Sequence, residues 1–291
     1  MIYDCFTFYN ELELLEVRLN VLNNIVDKFV LIENIVTYTN EKKPLYYQEN
    51  KKRYKKFSNK IIHVVVRDSP NVSHPWIIEH YLMAATIRGL KDAKPGDTII
   101  ISNLDEIPRP EKILEWKDKP GKLKVFEQQF FYYYLNFAST NRQWPGTKML
   151  TFKNFLTYQD AYVIRHSPND ISIPNAGWHF SYMGGIERIR EKMGTGSHQE
   201  YNNDRYNTKE KIEQAILEKR DVFDHGDKFD LVNLEQLPLY IQNNKSLYAQ
   251  MFLKKKHMPF KKHYIGFLKM KHHLRLMYRY LRKQLQPILK K

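Results

Sequence analysis

The feature that most constrains this chain is the alternation in its first hundred residues. Four short apolar runs, "YDCFTFYN", "DKFVLIEN", "KIIHVVVRD" and "DTIIIS", are separated by stretches too long to be hairpin turns. The first separator, "ELELLEVRLNVLNN", puts Leu12, Leu15, Leu19 and Leu22 at spacings of 3, 4 and 3, which is one face of a helix. Another, "HPWIIEHYLMAATIRGLKDA", has Pro75 near its start and Gly89 near its end, the usual helix boundary residues. Strands joined by helical crossovers pair in parallel. The pattern predicts an α/β fold, a central and mostly parallel sheet flanked by helices on both faces.

After Pro110 the pattern changes. "KLKVFEQQFFYYYLNF" and "TKMLTFKNF" have the length and alternation of antiparallel strands, and "RHSPNDISIPNAG" has the composition of a loop. "WHFSYMGG" follows, then helices from near Ile186 and over "TKEKIEQAILEKR". We expect one catalytic domain over residues 1–250, with a nucleotide-binding half (1–110) and an acceptor half (111–250), and a separate tail over 251–291. Charge supports the division. Of the 47 Lys and Arg, 34 lie in the first 250 residues beside all 32 Asp and Glu, so the body is close to neutral and 13 of the net +15 charges belong to the tail. The lone Cys5 excludes an intrachain disulfide and sits in an apolar run, as a small buried hydrophobe would.

The fourth run ends in "IIISNLDEIPRPE", where adjacent carboxylates, Asp105 and Glu106, reach the tip of a core strand. Asn and Asp are ordinary turn residues, and a turn is one explanation. The other is functional. Ligands of open α/β sheets bind beyond the carboxyl ends of the strands, and paired acids there favour a cation such as Mg2+ or Mn2+, which takes one or two carboxylates together with phosphate oxygens. No glycine-rich phosphate loop of either common kind is present. A nucleoside diphosphate held through metal is the arrangement left, and it suits a nucleotide-sugar transferase in which the metal stabilises the departing diphosphate.

At this point the chain resembles glycosyltransferase family 17, the β-1,4-mannosyl-glycoprotein β-1,4-N-acetylglucosaminyltransferases, and in particular a short microbial member. The resemblance extends from about Met1 to Tyr248. It rests on "MIYDCFTFYNELELLEVRLN", "VDKFVLIE", "KPLYYQENKKRYKKF", "IIISNLDEIPRP", "FEQQFFYYYLN", "GWHFSYMGG" and "SHQEY". It implies a GT-A-type nucleotide-sugar transferase fold, a UDP-N-acetylglucosamine donor, a divalent metal and inversion at the anomeric carbon. Asp105 falls on the family's metal-binding acid. Asn103 stands where the family has a further Asp, so it would ligate the metal or bond a ribose hydroxyl without adding charge. His179 is the histidine that would complete the metal site. Leu82 and Met83 replace the Gln-Arg that the family tends to have.

Further positions follow from strand ends and composition. Glu33, with Asp4 and Asn10 as weaker candidates, would meet the nucleoside, and Trp178 would join the nucleotide-sugar site. Tyr132, Tyr134 or Asn136 would face a sugar, and Gly177, Gly184 and Gly185 permit close approach or a tight turn. An inverting transferase needs a base within reach of the acceptor hydroxyl; Glu200, Glu127 and Glu106 are the candidates. The partners expected are a UDP-sugar and a glycan acceptor in surface polysaccharide or lipid-linked oligosaccharide synthesis. The same fold with another donor sugar, or a non-catalytic glycan- or membrane-binding relative, are the alternatives.

The tail "GFLKMKHHLRLMYRYLRKQLQPILKK" reads as a basic amphipathic helix suited to an anionic membrane surface. No nucleic-acid recognition motif accompanies its charge. With no basic leader and no apolar run of spanning length, the expectation is a cytoplasmic protein peripheral to the inner face of the membrane.

Overall fold

The computed structural model describes residues 1–254 and Met277; nearly all of the tail read as an amphipathic helix therefore lies outside the described residues. Met1–Phe252 form one compact unit. Its strands are β1 (Ile2–Phe8), β2 (Lys28–Asn34), β3 (Ile61–Val66), β4 (Thr98–Asn103), β5 (Glu106–Pro108), β6 (Lys124–Tyr132), β7 (Phe137–Thr151), β8 (Ile171–Ser181) and β9 (Phe229–Leu231). They form a single sheet in the order β3-β2-β1-β4-β7-β6-β8-β5, with β9 added on β7. The four runs of the first hundred residues are β1 to β4, all parallel to one another. β7 runs antiparallel to both β4 and β6, as their composition predicts, while β6 and β8 are parallel.

Alternation along the strands fills a core on each face of the sheet. Ile2, Phe6 and Phe8 of β1 join the core beneath the helix Leu12–Leu22, and Tyr3 and Cys5 join the one beneath the helix Pro75–Ala84. Cys5 is buried and its thiol pKa is pushed up by that burial, so it is the small hydrophobe expected. Leu82 and Met83 are buried in the second core, where this helix packs against the sheet.

Two boundaries differ from the sequence reading. "RHSPNDISIPNAG" is not a loop throughout: it takes in the end of the helix Ala161–His166 and, from Ile171 on, belongs to β8. Its turn signals, Pro174 and Asn175, fall between the registers Phe126↔Ile173 and Gln128↔Gly177, in an irregularity where β8 carries extra residues and proline need not donate to the ladder. "FFYYYLNF" is two strands, because Tyr133 adopts φ +67° and turns the chain between β6 and β7.

One connection shapes the molecule. β5 follows β4 after only Leu104 and Asp105, yet it closes the far end of the strand order. Three Cα steps cover at most about 11 Å. The sheet must therefore curl until its last strand returns beside β4, and Asp105 lies at that seam.

Candidate active site

β1 lies between β2 and β4, so the strand order changes direction there, and the crevice at the carboxyl ends of β1 and β4 is where ligands of such sheets bind. A cavity of about 410 Å³ opens at this place, within the roughly 300–1,000 Å³ range of small-ligand sites. Thr7, Asn103 and Asp105 line its floor; Phe130, Tyr132, Trp144 and Tyr182 form an aromatic wall; Trp76, Glu79 and Lys192 come from flanking helices. Rings with a flat apolar face and a polar edge suit a sugar better than a purely aliphatic wall would.

The floor is fixed from below by a residue the sequence reading missed. Arg18, on the buried face of the helix Leu12–Leu22, is fully enclosed. Its guanidinium donates to both carboxylate oxygens of Asp4 at 2.8 and 2.5 Å and to Ser102 Oγ at 2.6 Å. It also donates to the carbonyls of Asn103, Leu104 and Glu106 at 3.0, 3.1 and 2.9 Å. Five N–H donors in a rigid fork serve these six acceptors, with Nη1 shared among the three carbonyls. Asp4, expected at the nucleoside, is instead the buried counter-ion of Arg18.

The neighbouring carboxylates have separate tasks. Glu106 is sealed inside. Arg165 grips both its oxygens at 2.5 and 2.8 Å, Trp144 Nε1 donates at 2.8 Å, and the Asn103 amide donates at 2.9 Å. Burial resists its ionisation, but Arg165 outweighs this and the carboxyl pKa is lowered. A carboxylate with every lone pair engaged is no base for an acceptor, so Glu106 is a structural anchor. Gly146 allows it to sit there: a Cβ at 146 would lie 2.6 Å from the Glu106 carboxyl carbon.

Asp105 faces the cavity. Lys192 Nζ is 2.9 Å from its Oδ2 and His179 Nε2 is 3.7 Å from its Oδ1. Burial opposes the charge, yet Lys192 and His179 hold the carboxyl well below the usual carboxylate range. The lysine responds in kind: burial works against its ammonium, and Asp105 and Glu11 more than offset it, raising its pKa. His179 lies between Phe130 and Trp144, with centroids at 5.2 and 4.5 Å, and its Nδ1 is buried with no hydrogen-bond partner.

These residues fit a divalent cation. Asp105 already holds a positive group, His179 turns its Nε2 toward the same carboxylate, and carboxylate plus imidazole suits Mn2+. Among the described residues no three His, Cys, Asp or Glu side chains are grouped to hold an ion unaided. The remaining positions would fall to substrate oxygens and water. Asn103 stands at the edge of the same floor, its Oδ1 accepting from Thr7 Oγ1 at 3.3 Å.

Other expected positions lie elsewhere. Glu33 is buried where Tyr47 N, His63 Nε2 and Lys43 satisfy it, at 3.1, 2.9 and 3.8 Å, away from the cavity. Trp178 points to the opposite face from His179, as adjacent strand residues must; its Nε1 donates to the Gln236 carbonyl at 2.6 Å and Arg109 covers its ring. Glu127 accepts from Ser172 outside the cavity, and Asn10 binds Glu191 at 2.8 Å. Of the residues expected to face a sugar, Tyr132 lines the cavity and Tyr134 and Asn136 do not. Glu200 is half exposed and bonded to His198 Nδ1 at 2.7 Å; it is His198 that reaches the cavity, edge-on to Trp76. Gly177 meets the close approach expected of it, since a Cβ there would lie 2.5 Å from the Ile107 carbonyl, and Gly184 and Gly185 adopt positive φ.

One further carboxylate stands out. Glu11 and Asp105 face Lys192, Glu106 faces Arg165, Asp227 faces Arg142, and Asp221 accepts three backbone N–H groups. Glu79 lines the same cavity and has no hydrogen bond or ion pair among the described residues. Its position three residues after Trp76 puts both on one helix face, the one signal in the sequence that would have picked it out.

The human and rat β-1,4-mannosyl-glycoprotein 4-β-N-acetylglucosaminyltransferases are each 29% identical to the chain over 125 residues, 40% of this chain. The matched stretch spans about a quarter of each relative, 24% and 23%. Among solved structures, the inositol-1-phosphate CTP transferase of T. maritima aligns at 11% identity and TM-score 0.34, covering 62% of this chain and 89% of that one. S. aureus TarS (residues 1–349) aligns at 11% and TM-score 0.30, covering 86% and 80%. The model of glycosyltransferase family 17 matches residues 1–234, most of the body that holds the cavity. The chain belongs to glycosyltransferase family 17.

Proposed function

We propose that this chain transfers N-acetylglucosamine from UDP to a glycan hydroxyl with inversion, assisted by a divalent cation. The observation that carries this is Asp105 facing the cavity at the β1/β4 crevice while its neighbour Glu106 is sealed away. Family membership and the N-acetylglucosaminyltransferase activity for which the human and rat relatives are named support the choice of sugar. Asp105 and His179 would hold Mn2+ or Mg2+, which when bound supplies positive charge to the departing diphosphate. Thr7 and Asn103, at the ends of β1 and β4, are placed for the donor. The aromatic wall would orient the sugars and exclude water.

Glu79 takes the role of base. Among the described residues it is the cavity carboxylate with no hydrogen bond or ion pair, and a base must be free to accept the acceptor's proton. The basic tail supports a polysaccharide or lipid-linked acceptor at an anionic membrane surface.

The test is turnover of a panel of nucleotide sugars with Mn2+. UDP-N-acetylglucosamine should be consumed in preference, and Glu79→Gln should lower kcat by about 100-fold or more while leaving UDP affinity unchanged. Turnover of another donor would reassign the sugar. Turnover of none would refute transfer, and full activity in Glu79→Gln would return the base to the His198–Glu200 pair.

A further inference from the structure

Three ion pairs surround the seam, and they differ in kind. Asp4–Arg18 and Glu106–Arg165 are forked, with two contacts each between guanidinium and carboxylate. Both cations are arginines, whose planar donors favour a fixed geometry. Asp105 is paired with a lysine through one short contact, Nζ to Oδ2 at 2.9 Å. Lysine is a point charge on a four-carbon stem with freedom to swing. Lys192 keeps a third of its side chain exposed (34%), lines the cavity, and lies 3.7 Å from Glu11 and 5.3 Å from the Tyr182 ring centre. Its helix is anchored by Ile189 and Met193, which are buried, so the side chain alone has to move.

Among the described residues, Asp105 is also the carboxylate that faces the floor with His179 beside it. Asn103 contributes no charge and Glu106 is fully engaged. An ammonium and a divalent ion repel each other, so a metal on Asp105 weakens the lysine's hold on the same carboxylate. A metal that takes both oxygens displaces Lys192 from Oδ2. A metal arriving with a nucleoside diphosphate brings new anionic oxygens into the cavity that the lysine already lines.

We propose that Lys192 is an exchangeable counter-ion: it neutralises Asp105 in the free protein, yields the carboxylate to the incoming metal, and then binds the diphosphate of the donor. The inference rests on the reading of this cavity as a site for a metal–nucleotide-sugar complex. It makes metal and donor binding mutually dependent, since each releases what the other needs. A purely structural lysine would move the two affinities together or not at all; an exchanged lysine moves them in opposite directions.

The experiment is isothermal titration of the full chain with Mn2+ alone, and with UDP in saturating Mn2+, for wild type, Lys192→Met and Lys192→Gln. Both substitutions keep an unbranched stem, and Gln offers Asp105 a neutral donor should Met fail to fold. Loss of the lysine should tighten Mn2+ binding at least tenfold and weaken UDP binding at least tenfold. Unchanged or weaker Mn2+ binding overturns the exchange, as does unchanged UDP affinity. If wild type binds Mn2+ and no UDP, the donor reading fails and takes the exchange with it. If wild type binds both and neither variant alters either affinity, the exchange alone is refuted.

Discussion

Replacing Arg18 with lysine isolates what holds the floor of the cavity. The substitution keeps the charge beside Asp4 and removes the fork. Arg18 makes six contacts: two to Asp4, one to Ser102 Oγ, and one each to the carbonyls of Asn103, Leu104 and Glu106. An ammonium has three donors, so at least three acceptors lose a partner. The Coulomb attraction keeps the lysine on Asp4, which leaves the loop carbonyls as the losers. Each buried group left unsatisfied costs about 1 kcal/mol or more, so Arg18→Lys should destabilise the body by roughly 3 kcal/mol. At an m-value of about 3 kcal/mol/M, the urea midpoint should fall by about 1 M. Because those carbonyls belong to the residues that aim Asp105, turnover of the preferred nucleotide sugar should also fall at least tenfold in protein that is still folded. Circular dichroism against urea and a donor-turnover assay below the transition measure the two effects. A variant with the wild-type midpoint and wild-type kcat would refute the claim that Arg18 supports the loop. Lowered stability with full kcat would show that the support is structural and does not reach Asp105.

Three other outcomes are expected. Gly146→Ala places a methyl 2.6 Å from the Glu106 carboxyl carbon, so it should loosen the Arg165 pair and cost about 2–3 kcal/mol, read as a lower urea midpoint; an unchanged midpoint would mean that Glu106 has room to shift. The carboxyls of Asp105 and Glu106 are lowered in the folded protein, so their contribution is complete above the unfolded values of about 4 and is lost as pH falls through the folded ones. The urea midpoint should drop on acidification below that point, and less so in Glu106→Gln; equal drops would exclude Glu106 as a source of acid lability. The full chain should sediment with vesicles containing phosphatidylglycerol at low salt, be released at high salt, and ignore phosphatidylcholine alone; salt-independent or absent binding would refute the role read from the tail.

The parallel half of the fold is legible because its signals are local. Each of β1 to β4 is a short apolar run with a helix or turn at its borders, and burial on both faces makes β1, β2 and β4 nearly continuous in apolar residues. Asp105 was legible for the same reason, as an acid at the end of such a run. What the sequence hides is everything settled by distant partners. Glu106 looks like the twin of Asp105 until Arg165, 59 positions on, closes over it. Arg18 looks like the one polar break in an apolar stripe until Asp4 and Ser102 meet it inside. Its position on the Leu15–Leu19–Leu22 face, opposite a strand that also carries a charge, was the available clue. The course of β8 was masked by Pro174 and Asn175, ordinary turn residues that the fold absorbs in an irregularity of pairing with β6.

The two-residue link between β4 and β5 has a consequence for how the site can respond to a ligand. It acts as a ruler without slack. Both of its ends are woven into the sheet, the Leu104 carbonyl is tied to Arg18 and the Asp105 carbonyl to the Phe180 amide, and the next residue is locked to Arg165. One residue more would turn the carboxylate of 105 inward and bring an apolar side chain to the floor; one fewer would pull β5 off β8. Asp105 is therefore a stationary electrode. When a charged substrate enters or leaves, the anion of the site keeps its place, and the adjustment falls to whatever cation stands against it.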